Sequence, residues 1–97
     1  MKIVFNKSNN ILNVALEGRL DTVTAPEFES FLEENYDGTG SLVIDCEKLV
    51  YISSAGLRVL LAAQKKTKGD MRLKNVCELV TEIFEMTGFA DILNIEA

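Results

Sequence analysis

The sequence predicts a single α/β domain, in which a mixed sheet of four to five strands carries helices mainly on one face. Short apolar runs rich in β-branched residues alternate with longer segments whose apolar residues recur every three or four positions. Only a turn separates the first two strand-like runs, whereas a helical segment lies between each later pair. Such a helical connection predicts parallel pairing with a right-handed crossover, because parallel strands need a crossover of this length. If each new strand is added on the same side, all crossover helices fall on one face.

The chain opens with a predicted β-hairpin. Residues 3–5 and 11–16 are its strands, and the polar residues 7–10 favour a turn between them. Residues 18–21, Gly-Arg-Leu-Asp, are expected to lead the chain out of the second strand. Asp21 is then either a turn residue that bonds its own backbone or part of a functional site at the sheet edge.

A first helix is predicted to follow this hairpin. Thr24 is expected to cap it, with Glu27 completing a capping box and Pro26 tolerated in the first turn. The glycine-containing residues 37–40 are expected to end it. Helical spacing gives this segment one apolar face, formed by Phe28, Phe31 and Leu32.

The second half of the chain continues the alternation of strands and helices. Residues 42–45 and 71–73 are predicted strands, with a helix over residues 55–67 between them. Asn75 and Glu78 are expected to cap a last helix that ends at Gly88. Residues 90–95 are expected to add one turn and a terminal strand. The buried stripe of the last helix is predicted to consist of Val76, Leu79, Val80, Ile83 and Phe84.

Composition argues against several classes of function. The 97 residues carry a net charge of −5 and no histidine, which argues against a nucleic-acid-binding face. There is no signal peptide and no run of about 20 apolar residues, so a cytoplasmic protein without a membrane segment is expected. Cys46 and Cys77 lie apart in apolar contexts, which favours two reduced thiols. Without histidine or paired cysteines, no metal site is expected, and no cofactor is predicted.

Residues 51–61, Tyr-Ile-Ser-Ser-Ala-Gly-Leu-Arg-Val-Leu-Leu, are the most informative segment of the chain. They place Ser53 and Ser54 where a strand and loop lead into a helix. The start of a helix presents unpaired backbone N–H groups and a partial positive charge. This position suits a serine that caps the helix, and it equally suits a phosphate on that serine.

This segment resembles the phosphorylation-site motif of STAS-domain anti-sigma factor antagonists, usually written Asp-Ser-Ser/Thr/Ala-Gly-Leu. Ser53 stands where the family usually has Asp, and Ala55 cannot be modified. Residues 18–21, 42–45 and 84–89 are also similar to family segments, so the resemblance extends in order over nearly the whole chain. The further C-terminal helix that the family often has is expected to be absent or much reduced.

The resemblance implies the function of an anti-sigma factor antagonist. The unphosphorylated form would bind an anti-sigma factor that is a serine kinase, and so release a sigma factor. The kinase would phosphorylate Ser54, with Ser53 the less favoured acceptor, and a serine phosphatase would reset the switch. No catalytic residue is expected in this chain. The residues expected to contact the partner are Asp21, Ser53, Ser54, Gly56, Leu57 and Arg58.

Two other functional classes compete with this one. A STAS domain can instead serve as a regulatory subunit of a transporter or of another signalling assembly, and the fold alone does not separate these roles. A hydrolase with Ser54 as its nucleophile is disfavoured. Histidine is absent, and residues 52–56 do not form a Gly-x-Ser-x-Gly elbow.

Gly56 is expected in the first turn of the helix, where glycine costs about 0.5–1 kcal/mol relative to alanine. We hypothesise that its small size lets the kinase approach the backbone closely enough to reach Ser54. On this hypothesis, Gly56→Ala leaves the thermal stability equal or higher and slows phosphorylation.

Overall fold

The computed structural model describes residues 1–96, and Ala97, the last residue of the predicted domain, lies outside this range. The described chain has four β-strands, three α-helices and a short 3-10 turn at Phe89–Asp91. None of these helices is both long enough and apolar enough to span a membrane. In chain order the elements are β1 (Lys2–Ser8), β2 (Ile11–Leu20), α1 (Ala25–Asn35), β3 (Ser41–Ile52), α2 (Ser54–Lys66), β4 (Met71–Lys74) and α3 (Glu78–Thr87).

The four strands form one mixed sheet in the order β1-β2-β3-β4. β1 pairs with β2 in antiparallel fashion, with Phe5 opposite Val14, and the two later pairs are parallel. Beside β4, Ile95 makes a single parallel bridge to Leu73, so the predicted terminal strand is reduced to one bridge. The predicted α/β class, with a mixed sheet and an antiparallel first pair, is confirmed.

The core lies between one face of the sheet and the helices. Alternate residues of β2 are buried there, because successive side chains of a strand point to opposite faces. The helices close this face with fully buried side chains, among them Phe28 of α1, Leu60 of α2 and Phe84 of α3. At the sheet edge, Phe5 packs against Phe31 of α1 edge-to-face, with ring centroids 4.9 Å apart. The helices therefore pack on one face, as predicted.

β2 and β3 are much longer than the sequence pattern predicted. β2 continues to Leu20 and β3 to Ile52, well past the predicted ends at positions 16 and 45. Their register shifts between Ala15 and Glu17 and again after Gly18, whose φ is +107°. Both shifts insert an extra residue into β3, which breaks its period-two alternation, so the pattern beyond residue 45 no longer indicates a strand. β2 keeps its alternation to Leu20, and its end was missed because Gly18 favours a turn. The extra length carries both strands to the edge at which the serine motif begins.

Neither predicted capping pair forms, although Thr24 does occupy the N-cap position of α1. The hydroxyl of Thr24 accepts a hydrogen bond from the amide of Asp21 at 2.9 Å and donates to the carbonyl of Arg19 at 2.7 Å, so it makes no capping bond to α1. Asn75 has a φ of +58° and donates its side-chain amide to Asp45 at 3.1 Å, while α3 begins three residues later. In each case the polar side chain stabilises the segment before the helix instead of the helix itself.

The last helix buries less of its apolar stripe than predicted. Val80 and Phe84 are fully buried, and Val76 is buried but precedes the helix. Leu79, however, is 50 % exposed, so its predicted core position is wrong. Helical spacing identified the apolar side of α3, but only the part of that side that faces the sheet is covered.

Both cysteines are free thiols. Cys46 is fully buried, and desolvation raises the pKa of its thiol to about 12, with the charge of Asp45 acting in the same direction. The thiol of Cys46 is therefore protonated at neutral pH, the form that neither attacks electrophiles nor binds metals.

Candidate functional site

The serine motif begins at the carboxyl edge of two adjacent parallel strands. Leu20 and Ile52 are register partners at the ends of β2 and β3. The backbone amide of Ser53 donates to the carbonyl of Leu20 at 2.9 Å, which ties the start of the motif to the neighbouring strand. The residue after Leu20 is Asp21, so the turn before α1 and the start of α2 lie side by side. This is the edge at which open α/β sheets collect their sites.

Ser53 occupies the N-cap position of α2. Its backbone is extended, with φ −102° and ψ 175°, and its carbonyl accepts the first helical hydrogen bond from Leu57 at 2.9 Å. Its hydroxyl makes no capping bond and is buried without a hydrogen-bond partner among the described residues. A hydroxyl in this position is shielded from an enzyme that would modify it.

Ser54 is the first residue of α2, and it is exposed. The first-turn N–H groups of a helix have no intrahelical acceptor, and the aligned peptide dipoles leave a partial positive charge beside them. The 13-residue helix is long enough for this effect to be present. Chemically, this position can carry a phosphate that projects into solvent beside favourable backbone groups.

Gly56 is buried, and its small size is used inside the domain. A Cβ at this position would lie 2.8 Å from Cγ of Leu20, from Cγ1 of Ile52 and from the carbonyl oxygen of Leu20. These distances are well below van der Waals contact, so α2 can approach the strand ends this closely only without a side chain here. The structure therefore contradicts the expectation that alanine would leave the domain equally stable or more stable.

The carboxylate of Asp21 bonds the backbone of its own turn, which is one of the two roles that the sequence left open. Its Oδ1 accepts hydrogen bonds from the amides of Val23 at 3.0 Å and Thr24 at 3.1 Å, and its Oδ2 lies 3.6 Å from Nε of Arg19. The pKa of this carboxyl lies below its usual value, chiefly because of the bond from the Thr24 amide, although partial desolvation opposes the shift. Asp21 thus shapes the turn that lies beside Ser53.

Leu57 and Arg58 differ in what they offer to a partner. The side chain of Leu57 is only 4 % exposed and belongs to the core, so it is not part of the surface on which the sequence placed it. Arg58 is exposed, one helical turn after Ser54. It forms no ion pair within 4 Å among residues 1–96.

The structure adds three residues to this edge that the sequence did not single out. The guanidinium of Arg19 lies over the ring of Tyr51, 4.2 Å from its centroid. Val23, in the turn after Asp21, is 85 % exposed. The Arg19–Tyr51 pair follows from the register of β2 and β3, which the two irregularities conceal. The sequence sets Val23 apart in one way: it is an apolar residue among the polar residues of the turn.

The described residues also include a small cleft far from this edge. It has a volume of about 110 Å³ and lies between α1 and α2. Its lining includes Tyr36 and Thr67, which follow the last residues of these two helices, so it lies at the helix ends opposite Ser54. Residues 1–96 contain no cluster of three His, Cys, Asp or Glu side chains that could hold a metal ion. Ser54 itself stands on an exposed surface.

Comparison with known proteins decides the family. The model of the STAS domain matches residues 2–97. The chain belongs to the STAS domain family. BtrV of Bordetella bronchiseptica, which is assigned as an anti-sigma factor antagonist, is 36 % identical over 96 residues, or 95 % of this chain and 83 % of BtrV. The anti-sigma-B factor antagonist of Bacillus subtilis is 29 % identical over 94 residues, or 94 % of this chain and 86 % of that protein.

The same fold occurs among solved structures. The Bacillus cell fate determinant SpoIIAA in its phosphorylated form aligns with a TM-score of 0.73 and 15 % identity, covering 99 % of this chain and 92 % of that chain. At this identity the likeness concerns the fold alone. The family resemblance of residues 51–61 and their flanking segments is confirmed by the family match and by the relatives.

Proposed function

We propose that this STAS domain is an anti-sigma factor antagonist that is switched by phosphorylation of Ser54. In this function the unphosphorylated domain binds an anti-sigma factor kinase, and a sigma factor is released. The observation that carries the assignment of the acceptor is the contrast between the two serines. The hydroxyl of Ser53 is buried, whereas Ser54 is exposed on the first turn of α2.

The chemistry at Ser54 is a phosphoryl transfer. The Ser54 oxygen attacks the γ-phosphorus of ATP held by the kinase, the bond to the β-phosphate oxygen breaks, and ADP leaves. The hydroxyl proton passes to a base on the kinase, since residues 51–61 contain no side chain suited to that role. A serine phosphatase would hydrolyse the phosphate and restore the binding form. The domain itself acts as a substrate and binding partner, not as an enzyme.

The partner surface that we propose surrounds this acceptor. It comprises the exposed Ser54 and Arg58 of α2 and the neighbouring turn at Asp21 with the exposed side chain of Val23. Ser53 and Gly56 support this surface from within, and we leave Leu57 out because its side chain lies in the core. An exposed surface of this kind suits a protein partner, since small ligands are usually held in enclosed pockets.

The functions assigned to the relatives support this proposal. BtrV is assigned as an anti-sigma factor antagonist and the Bacillus subtilis protein is an anti-sigma-B factor antagonist, and each aligns with more than nine-tenths of this chain. The phosphorylated form of SpoIIAA has the same fold, which supports a phosphate that is added without rebuilding the domain. No observation on this chain favours the transporter-subunit role.

The test is to incubate the domain with its cognate anti-sigma kinase and ATP and to locate the phosphate by mass spectrometry. We expect one phosphate on Ser54, none after Ser54→Ala, and normal phosphorylation after Ser53→Ala. Phosphate on Ser53, or on neither serine after complete kinase treatment, would refute the assignment.

A further inference from the structure

We propose that Arg58 binds the phosphate on Ser54, so that phosphorylation also withdraws this arginine from the partner surface. This inference rests on the proposed phosphorylation of Ser54. The contact is within one helix and requires no movement of the backbone.

The spacing of the two residues brings their side chains to the same side of α2. Positions four apart on a helix are neighbours, with Cβ atoms about 5–6 Å apart. Ser54 and Arg58 have this spacing, and both are exposed. An anion that precedes a cation by four residues is the favourable order, because it also agrees with the helix dipole.

Arg58 is the cation at this edge that is free to form such a contact. The other arginine, Arg19, already lies 3.6 Å from Oδ2 of Asp21 and over the ring of Tyr51. Arg58 has no carboxylate within 4 Å among the described residues. The next cation of α2, Lys65, is in the last turn, about 16 Å from Ser54 along the helix axis.

Arginine is well suited to hold a phosphate dianion. Its planar guanidinium presents paired N–H donors that match two phosphate oxygens, whereas a lysine acts as a single point charge. In the unphosphorylated domain the same donors point into solvent, where a carboxylate of the partner can bind them. Phosphorylation would then change the surface twice, by adding negative charge at Ser54 and by engaging the cation at Arg58.

The test measures the second ionisation of the phosphate by phosphorus NMR. Phosphoserine is incorporated at position 54 during translation, and the phosphorus shift is followed from pH 4 to pH 8. The ordinary pKa of this group is about 6. A neighbouring guanidinium stabilises the dianion, so we expect Arg58→Gln to raise this pKa by about 0.2–0.4 unit.

Two further variants make the measurement decisive. Lys65→Gln removes the same charge from the same helix at a distance, and it should leave the phosphate pKa within about 0.1 unit of the parent. Arg58→Lys should retain part of the shift. The inference is wrong if Arg58→Gln leaves the pKa unchanged, or if Lys65→Gln raises it as much as Arg58→Gln does.

This experiment does not depend on a kinase, because the phosphate is installed during synthesis. A domain that no kinase phosphorylates at Ser54 would contradict the proposed function while the phosphorus titration could still report a contact with Arg58. Conversely, efficient phosphorylation of Ser54 with an unchanged titration in Arg58→Gln would leave the proposed function in place and remove this inference.

Discussion

Ser53 and Ser54 have identical side chains and opposite environments, because the backbone turns from an extended strand into a helix between them. Ser53 ends the extended segment with its hydroxyl turned inward, and Ser54 begins the helix on the outside. Both serines fit the sequence pattern of a helix start. Which of the two serines is exposed therefore depends on the backbone angles of Ser53, φ −102° and ψ 175°.

Ser53→Ala should preserve or raise the stability of the domain. The variant removes a buried hydroxyl that has no partner among the described residues, and a buried polar group without a hydrogen bond costs about 1–3 kcal/mol. Since the hydroxyl makes no capping bond, none is lost. Urea denaturation of both proteins tests this. A loss of more than 1 kcal/mol would mean that the Ser53 hydroxyl has a stabilising partner.

Gly56→Ala should destabilise the domain. The added Cβ would contact Leu20 and Ile52 at 2.8 Å, and overpacking of this kind costs about 1–3 kcal/mol. The better helix propensity of alanine returns only about 0.5–1 kcal/mol, so we expect a net loss of about 1–2 kcal/mol. The measurement is the free energy of unfolding, with Ser30→Ala, an exposed helical position, as the control. An unchanged or higher value for Gly56→Ala would restore the hypothesis that this glycine serves the kinase.

At the scale of elements, the sequence predicted the order and type of every strand and helix but not where several of them begin and end. Helical spacing around Phe28 and strand composition around Ile44 were clear local signals. The end of β3 was missed because two extra residues break its alternation, and the end of β2 was missed because Gly18 favours a turn. The caps were missed because the hydroxyl of Thr24 bonds the backbone of the preceding turn, and because the side chain of Asn75 bonds Asp45, which only the folded sheet brings near.

For the site too, local sequence predicted the position of a residue along the chain, but not the contacts it makes with distant parts of the chain. The position of Ser54 at the start of a helix followed from local composition, and the family resemblance indicated its chemistry. The burial of Gly56 and Leu57 could not be derived in this way, because it depends on how α2 packs against the distant Leu20. Likewise, the stacking of Arg19 on Tyr51 requires the register of two strands that are far apart in sequence.

The turn between β2 and α1 should make the stability of the domain depend on the ionisation of Asp21. Its pKa is lowered in the folded state, chiefly by the hydrogen bond from the Thr24 amide. The ionised carboxylate therefore stabilises the fold above the unfolded pKa of about 3.9, and this contribution is lost as the pH falls through the lower folded pKa.

Asp21→Asn should lower the melting temperature at pH 7, and the difference from the parent should shrink as the pH falls below 4. Thermal unfolding followed by circular dichroism from pH 7 to pH 2 measures this. The control is Asp91→Asn, an exposed position on the 3-10 turn whose side chain accepts no hydrogen bond from residues 1–96. A difference between Asp21→Asn and the parent that is the same at every pH would contradict this role of the Asp21 charge.

At the scale of the whole molecule, the fold separates a buried core from the small exposed region in which we propose the modification. Three helices and one sheet face enclose the apolar side chains, while Ser54 and Arg58 stand outside this core. A phosphate on Ser54 therefore need not disturb packing. The switch that we propose is local, because charge and bulk change at the surface while the core remains as it is.

The size of the switch can be estimated from charge alone. Phosphorylation adds about −1.5 to −2 charges to a domain whose net charge is already −5. One partner carboxylate at about 5 Å, with an effective dielectric constant near 20, repels each added charge by about 3 kcal/mol before screening. Even if solvent exposure halves this repulsion, binding weakens by about a hundredfold.

The most direct test of this account is titration calorimetry of the cognate anti-sigma factor with the unphosphorylated domain and with the domain carrying phosphate on Ser54. We expect the phosphorylated form to bind about a hundredfold more weakly at low salt, and we expect the difference to narrow at high salt because ions screen the repulsion. Equal affinities of the two forms for the anti-sigma factor would contradict the central claim that phosphate on Ser54 operates the switch.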